Sequence, residues 1–395
     1  MSDYYKRSVE LHKNTRGKWQ IKAKVPLQNR DDLSLAYTPG VAAVCEEIVQ
    51  DKNAVYSLTM KGNSVAVVSD GSAVLGLGDI GPEAALPVME GKAILFKEFA
   101  GIDGVPIVIN ATGPEEIIAF VKALAPGFGG INLEDIKAPK CFEIEDALQD
   151  IGIPVFHDDQ HGTAIVLLAA LLNASKVTGK PLQEMTVVIN GAGAAGAAIA
   201  KLLCCIGHES DRCTPVKKVY LCDTKGVISK ERQDLHPYKK ELLTFTNPDN
   251  RTGTIFDILE NADVFIGVSV GNLLTAENIR KMNKNSIIFA MANPIPEIMP
   301  EQAHAAGAAI VGTGRSDFPN QVNNVLAFPG IFLGALEVKA KKITPAMKIA
   351  AAYALADCIP DPTPTSILPN PLDRTVAYHV AKAVKEAYLQ EIKKN

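Results

Sequence analysis

MTVVINGAGAAGAAIAKLL, residues 185–203, decides the architecture of this chain. A short apolar, β-branched run is followed at once by G-x-G-x-x-G, formed by Gly191, Gly193 and Gly196 with Ala194 and Ala195 inside it, and then by an apolar helical pattern. The first glycine permits a tight turn, the second lets backbone approach a pyrophosphate, and the third allows helix to pack closely on strand. The helix N-terminus then turns unpaired N–H groups and a positive dipole end toward the phosphates. The glycine pattern alone is weak. Here a strand precedes it, a helix follows it, and the next strand, KVYLCD at 218–223, ends in an acid, which makes a dinucleotide-binding βαβ unit.

Asp223 is thereby placed to hold the adenosine ribose hydroxyls, although HESDRCTPVK at 208–217 lengthens the crossover. An acid at this point repels a 2′-phosphate and favours NAD over NADP, while Lys225 two residues on offers compensation. The alternative is that Asp223 is a turn residue before Gly226.

Outward from this unit, short apolar runs alternate with helical patterns along the chain. The strands expected are SVAVVSD, PIVIN, GGINLED, PVFHDD, MTVVING, KVYLCD, ADVFIGV, SIIFAMAN and AAIVGTG. Most are continuous apolar runs, as in strands covered on both faces. Helices are expected over 82–99, 114–124 and 160–176, and the chain after residue 328 reads as three helices. Such alternation implies parallel sheets joined by right-handed crossovers. The expectation is an α/β chain of two domains. Residues 1–160 form an N-terminal α/β domain, and residues 161–395 form a doubly wound, Rossmann-like dinucleotide-binding domain with a helical C-terminal region.

A length of 395 residues suits two such cores. The net charge of −4 lacks the clustered basic face of a nucleic-acid binder. Seven cysteines with no CxxC spacing suggest neither a zinc site nor a disulfide framework, so Cys204 and Cys205 read as buried thiols in a reducing cytoplasm. The charged N-terminus lacks the apolar core of a signal peptide, and no apolar run approaches a membrane span.

Two carboxylate pairs need a chemical account: Glu134-Asp135 at the end of GGINLED and Asp158-Asp159 at the end of PVFHDD. In parallel sheets ligands gather beyond the carboxyl ends of strands, so both pairs face one crevice. Four carboxylates there repel one another unless a cation neutralises them, and oxygen ligands suit Mg²⁺ or Mn²⁺. Helix caps or turns are the competing account of such pairs. His157 and His161 have the i, i+4 spacing of a zinc pair but no third nitrogen or sulfur ligand nearby, so structural roles fit them better. On the helix over 82–99, Leu86, Met89 and Ala93 form an apolar face, leaving Lys92 for the crevice or for solvent. Thr38-Pro39 resembles an N-cap with proline at N1, and Tyr37 before it a hydrophobic staple.

Taken together, LSLAYTPGVA at 33–42, SDGSAVLGLGDIGPEAALPVMEGKAILFKEFAGID at 69–103, INLEDI at 131–136 and VFHDDQHGTA at 155–164 resemble the malic enzyme family in its shorter, prokaryotic-type form. The resemblance implies metal-dependent oxidative decarboxylation of L-malate to pyruvate and CO2 with reduction of NAD or NADP. It implies Tyr37 as general acid and Lys92 as general base, with Asp158 orienting the lysine. It further implies Glu134, Asp135 and Asp159 as ligands of Mg²⁺ or Mn²⁺, with Lys92 brought toward neutrality by the cation and by burial. Asn293, ending SIIFAMANP, matches a position lining the cofactor and substrate crevice. Asn323 and Asn324 in PNQVNNVLAFPG match a substrate-facing motif, with the malate contact open between them. The family also implies a homodimer, with site residues crossing between chains as one arrangement. One departure is Ser72-Ala73-Val74, where longer members carry an arginine that grips a malate carboxylate. Two other functions remain to be separated from this one. One is a malolactic-type enzyme that keeps NAD tightly held and releases lactate; the other is a nucleotide-sensing binding protein.

Overall fold

The computed structural model describes residues 2–74, 76–111, 113–209 and 212–394. Leu75 of the LGLGD stretch and Ser210 and Asp211 of the long crossover lie outside the described residues.

Four strands form the first sheet: β1 (Ser64–Ser69), β2 (Asp103–Val108), β3 (Gly130–Leu133) and β4 (Val155–His157). Their order is β2-β1-β3-β4, and all pairs are parallel. Six strands form the second: β5 (Thr186–Asn190), β6 (Lys218–Asp223), β7 (Gly226–Val227), β8 (Val264–Gly267), β9 (Ile287–Ala290) and β10 (Ile310–Thr313). Their order is β10-β9-β8-β5-β6-β7, parallel except for β7. All nine strands read from the sequence are present. The unforeseen β7 is a two-residue return that pairs Gly226 with Asp223, too short to carry a periodic signal.

Each sheet reverses direction of growth once, between β1 and β3 in the first and between β5 and β8 in the second. Crevices open at the carboxyl ends of strands at such switch points. The loop after β1 packs on the end of β3, where Ala73 N–H donates to the Asp135 carbonyl at 2.9 Å. In the second sheet a Cβ on Gly191 would meet the Val268 carbonyl at 2.8 Å, so the glycine turn lies directly on the loop after β8.

Helix Asp158–Thr178 joins the two halves, and one apolar cluster runs through both. It includes Phe96 and Phe156 from the first sheet's layers, Ile189 and Ile266 from the second sheet, and Phe328 and Phe332 from helix Phe328–Glu337. Phe96 meets Phe328 and Phe332 edge-on, at 4.8 Å and 5.3 Å between ring centroids. The C-terminal helices therefore pack on the first sheet's helix Pro82–Ala100 as well as along the second half of the chain.

Several expectations are corrected. By length and composition helix Asp158–Thr178, at 21 residues, is apolar enough to cross a bilayer. It is a core helix: most of it is buried, and its first turn carries two aspartates. The strand reading of PVFHDD stops at His157, so Asp158 and Asp159 occupy that first turn, where the helix dipole favours carboxylates. Thr38-Pro39 is a cis peptide in a turn, and Gly40 is the N-cap of helix Val41–Gln50. Leu86 is 37% exposed rather than part of the buried face. Cys205 is no buried thiol: it is joined to Cys213 by a disulfide across the loop that follows helix Ala194–Leu203.

Candidate metal and dinucleotide site

Lys92 comes from the middle of helix Pro82–Ala100, on the side that faces the first sheet, and is 7% exposed. Its ammonium lies 2.6 Å from Asp158 Oδ2 and 2.8 Å from Glu134 Oε1, and 4.4 Å above the Phe328 ring. Glu134 follows β3 directly and accepts a second hydrogen bond from Asn132 Nδ2 at 2.8 Å. Asp135 takes a left-handed backbone (φ +53°), which turns its N–H onto Asp159 Oδ2 at 2.8 Å. A non-glycine residue held there is strained by about 1–2 kcal/mol, which favours a positional role for Asp135. Asn324, far along the chain, donates its side-chain amide to Asp158 Oδ2.

Carboxylate oxygens of Glu134, Asp135 and Asp159 all lie within 4.8 Å of one another. That spacing fits a small hard cation with oxygen ligands, needing little contraction. The electrostatics agree. Burial raises Glu134 and Asp158 to about 7 and Asp159 to about 6, repulsion among the carboxylates adds to it, and Lys92 only partly offsets it. Glu134, Asp158 and Asp159 all act on the Lys92 ammonium. Burial by itself lowers the Lys92 pKa, but Asp158, Glu134 and Asp159 outweigh burial and hold it above its ordinary value. Burial thus acts on Lys92 in the expected direction, and without a cation the neighbouring carboxylates outweigh it.

The glycine turn is as the motif requires. Gly191 follows β5 directly with φ +119°, and Gly193 is the N-cap of helix Ala194–Leu203, whose first turn holds Ala194 and Ala195. A Cβ on Gly196 would lie 1.7 Å from the Gly191 carbonyl oxygen, so no other residue fits. Asp223 is not a free acceptor. Arg232 grips both of its oxygens, at 2.7 and 3.2 Å, and Lys239 Nζ lies 2.6 Å from Oδ2. These partners follow 9 and 16 residues later, beyond the reach of the βαβ pattern.

Asn293 follows β9, and its carbonyl oxygen would be 2.8 Å from a Cβ on Gly76, so it touches the loop after β1 across the crevice. The two asparagines differ. Asn323 Oδ1 caps the short turn by accepting from Val325 N at 3.0 Å, whereas Asn324 reaches Asp158. Tyr37 stands apart from all of these. It caps helix Arg30–Ala36, is 67% exposed, and makes no side-chain hydrogen bond among the described residues.

Three buried features escaped the sequence reading. His161 hydrogen-bonds Glu145 at 2.9 Å; burial opposes that acid's ionisation, but His161 holds it down at about 2. This pair occupies His161 without any metal, while His157 is fully buried. Asp70, paired with Lys140 and bonded by Ser72, braces the loop after β1. Glu297 lies wholly buried behind the ends of β8 and β9. None has a signal in periodicity or motif, because each pairing is made between separate loops or helices.

Comparisons with known proteins match both halves of the chain. The chain matches the malic enzyme N-terminal domain over residues 16–114 and the malic enzyme NAD-binding domain over residues 160–389. It is 56% identical to the bifunctional malic/malolactic enzyme of Bacillus subtilis, over 97% of this chain and 92% of that protein. It is 53% identical to the NAD-dependent malic enzyme of Geobacillus stearothermophilus, over 94% of this chain and 76% of that one. The crystal structure of an NAD-dependent malic enzyme from Thermotoga maritima superposes with a TM-score of 0.90 at 51% identity, covering 95% of this chain and 98% of that chain.

Proposed function

The chain belongs to the malic enzyme family, and we propose that it oxidatively decarboxylates L-malate to pyruvate and CO2 while reducing NAD(P)⁺. The observation that carries this reading is the Lys92–Asp158–Glu134 contact beside three converging carboxylates, across a crevice from a dinucleotide turn.

Glu134, Asp135 and Asp159 are the residues that would hold a Mg²⁺ or Mn²⁺ ion, and the turn from Gly191 to Gly196 would hold the coenzyme pyrophosphate. When bound, the cation supplies Lewis-acid polarisation of the substrate oxygen and the nicotinamide supplies the hydride acceptor. A cation held by Glu134, Asp135 and Asp159 would offset the carboxylates that raise the Lys92 pKa and so favour the neutral amine that a base requires. Lys92 Nζ then takes the proton of the C2 hydroxyl, with Asp158 fixing its direction. Asn324 donates to the same Asp158 oxygen, Oδ2, that Lys92 meets, which favours it over Asn323 as the asparagine nearest the reacting groups. Asn293 lines the crevice where the two halves of the chain meet.

Oxidation at C2 gives the keto acid, and loss of its C4 carboxylate as CO2 leaves the C3–C4 electron pair on the substrate as the enol of pyruvate. Tyr37 would donate the proton to C3 of that enol, and we place Tyr37 in the site of a second copy of the chain. Helices Arg30–Ala36, Val41–Gln50 and Val55–Leu58 bury no residue within their own chain. They leave Leu33, Leu35, Val41, Val49 and Leu58 exposed, and Tyr37 between the first two helices is exposed with them. An apolar surface of this extent around a catalytic tyrosine supports a homodimer whose sites are completed across the interface.

The test is initial rates of NADH and NADPH formation from L-malate with Mn²⁺, with pyruvate and lactate measured in the same tubes. Equimolar pyruvate and reduced coenzyme, both abolished by EDTA, are expected. The relative at 56% identity is named for malolactic activity as well. Lactate formed without accumulating NAD(P)H would transfer the chain to that reaction, and no consumption of malate would refute both.

A further inference from the structure

Glu297 is a carboxylate with no part in the chemistry above, yet it is buried completely at the carboxyl ends of β8 and β9. Its Oε2 accepts a hydrogen bond from Ala292 N at 3.1 Å, and its Oε1 lies 3.4 Å from Ser269 N. Those two N–H groups belong to different loops. Ser269 follows Val268, whose carbonyl lies against Gly191, the first glycine of the dinucleotide turn. Ala292 precedes Asn293, whose carbonyl touches Gly76 on the far side of the crevice.

The backbone around the acid repeats the same connection. Leu274 N donates to the Glu297 carbonyl and Asn272 N to the Pro296 carbonyl, both at 2.9 Å, so segment 294–297 is laced to the loop after β8. Gly267, the last residue of β8, makes the room: a Cβ there would lie 2.1 Å from Glu297 Oε1. Among the described residues no cation pairs with this carboxylate. Burial pushes Glu297 up to about 7, and the two loop N–H groups only partly restore it. A buried, unpaired acid is unfavourable for stability, and an apolar side chain would fill the space more favourably. Its position is explained if the two-oxygen clasp serves the crevice.

We propose that Glu297 is a positioning residue for the coenzyme. Its two oxygens tie the loop after β8 to the loop after β9 and so set the floor beneath the Gly191 turn. This deepens the dinucleotide part of the proposed function and rests on it. Glutamine at this position keeps the shape but presents one N–H donor to a backbone N–H, so one arm of the clasp is lost. Aspartate keeps the charge but is too short to reach both loops.

The experiment uses the full-length protein and NADH itself as the probe, with binding followed by coenzyme fluorescence. Turnover is measured in parallel for wild type, Glu297→Gln, Glu297→Asp and a core control, Ile279→Val, in helix Ala276–Arg280 of the same half of the chain. Glu297→Gln is expected to weaken NADH binding about tenfold, the loss of one hydrogen bond to a charged group. Its KM for NAD(P)⁺ should rise in proportion, while its KM for malate stays within about twofold, because Lys92 and the carboxylates belong to the other sheet. Glu297→Asp should fall between the two and carries the test if the glutamine variant does not fold. NADH affinity unchanged in both variants overturns the proposal. So does a parallel rise in both KM values, or an equal loss in Ile279→Val, since those mark general loosening. If wild type binds NADH but leaves malate untouched, the proposed reaction fails while the binding comparison still decides the role of Glu297.

Discussion

Replacing Asp158 by Asn should make the metal-free protein more stable and the enzyme nearly inactive. The side chain is completely buried, and burial, reinforced by Glu134 and opposed by Lys92, raises its pKa from 3.8 to about 7. Between those values the native state holds a proton that the unfolded chain has released, so stability falls as pH rises, by about 1.4 kcal/mol per pH unit for one such group. Asparagine has the same shape and no charge to desolvate. Relative to wild type the variant should therefore gain stability between pH 5 and pH 7. About 1–3 kcal/mol is reasonable once readjustment of Glu134 and Lys92 is allowed for. Taking the difference between the two proteins cancels titrating groups that do not interact with Asp158, such as His157, whose burial drives its pKa to about 4. Turnover should fall by roughly 10²-fold or more, because the amide cannot orient the Lys92 ammonium as a carboxylate does. The assay is urea unfolding in EDTA at pH 5 and pH 7, paired with steady-state rates in Mn²⁺. A variant destabilised more at pH 7 than at pH 5, or one with wild-type turnover, would refute the reasoning.

Lys92→Ala and Tyr37→Phe should each lose roughly 10²–10⁴ in turnover. Mixing the two inactive proteins under subunit exchange should recover roughly a quarter of wild-type activity, since one site of each mixed dimer then has both groups; no recovery would place Tyr37 in its own chain's site. Asp223→Ala should free Arg232 and Lys239 for a 2′-phosphate and raise the NADP-to-NAD ratio of kcat/KM by about tenfold, the effect of one charge-assisted contact. An unchanged ratio would remove these three residues from coenzyme selection. Gly196→Ala should abolish NADH binding measured by fluorescence while leaving the first sheet intact, because its methyl would lie 1.7 Å from the Gly191 carbonyl; retained binding would contradict the close packing of helix on turn.

What the sequence determined alone was everything carried by short-range pattern. Continuous apolar runs marked nine strands, and the glycines at 191, 193 and 196 placed the coenzyme turn, because their spacing follows from backbone sterics within one βαβ unit. The acid pairs at 134–135 and 158–159 were legible as candidates, since strand ends in a parallel sheet point the same way. Only the tertiary structure decided which charges meet. Lys92 meets Asp158 across 66 positions, a pairing that the family resemblance implied but no periodicity encodes, and Asn324 joins them across 166 with no signal at all. Asp223 looked like a free ribose acceptor until the chain folded back and delivered Arg232 and Lys239 to it. Cys205 looked like a core thiol until the loop brought Cys213 beside it. Tyr37, recognisable by its motif, turned out to lie on an exposed surface. Local sterics and solvent exclusion act on neighbours along the chain. Charge pairing, loop clasps and site assembly act on neighbours in space, and these exist only once both sheets and the helix between them have packed.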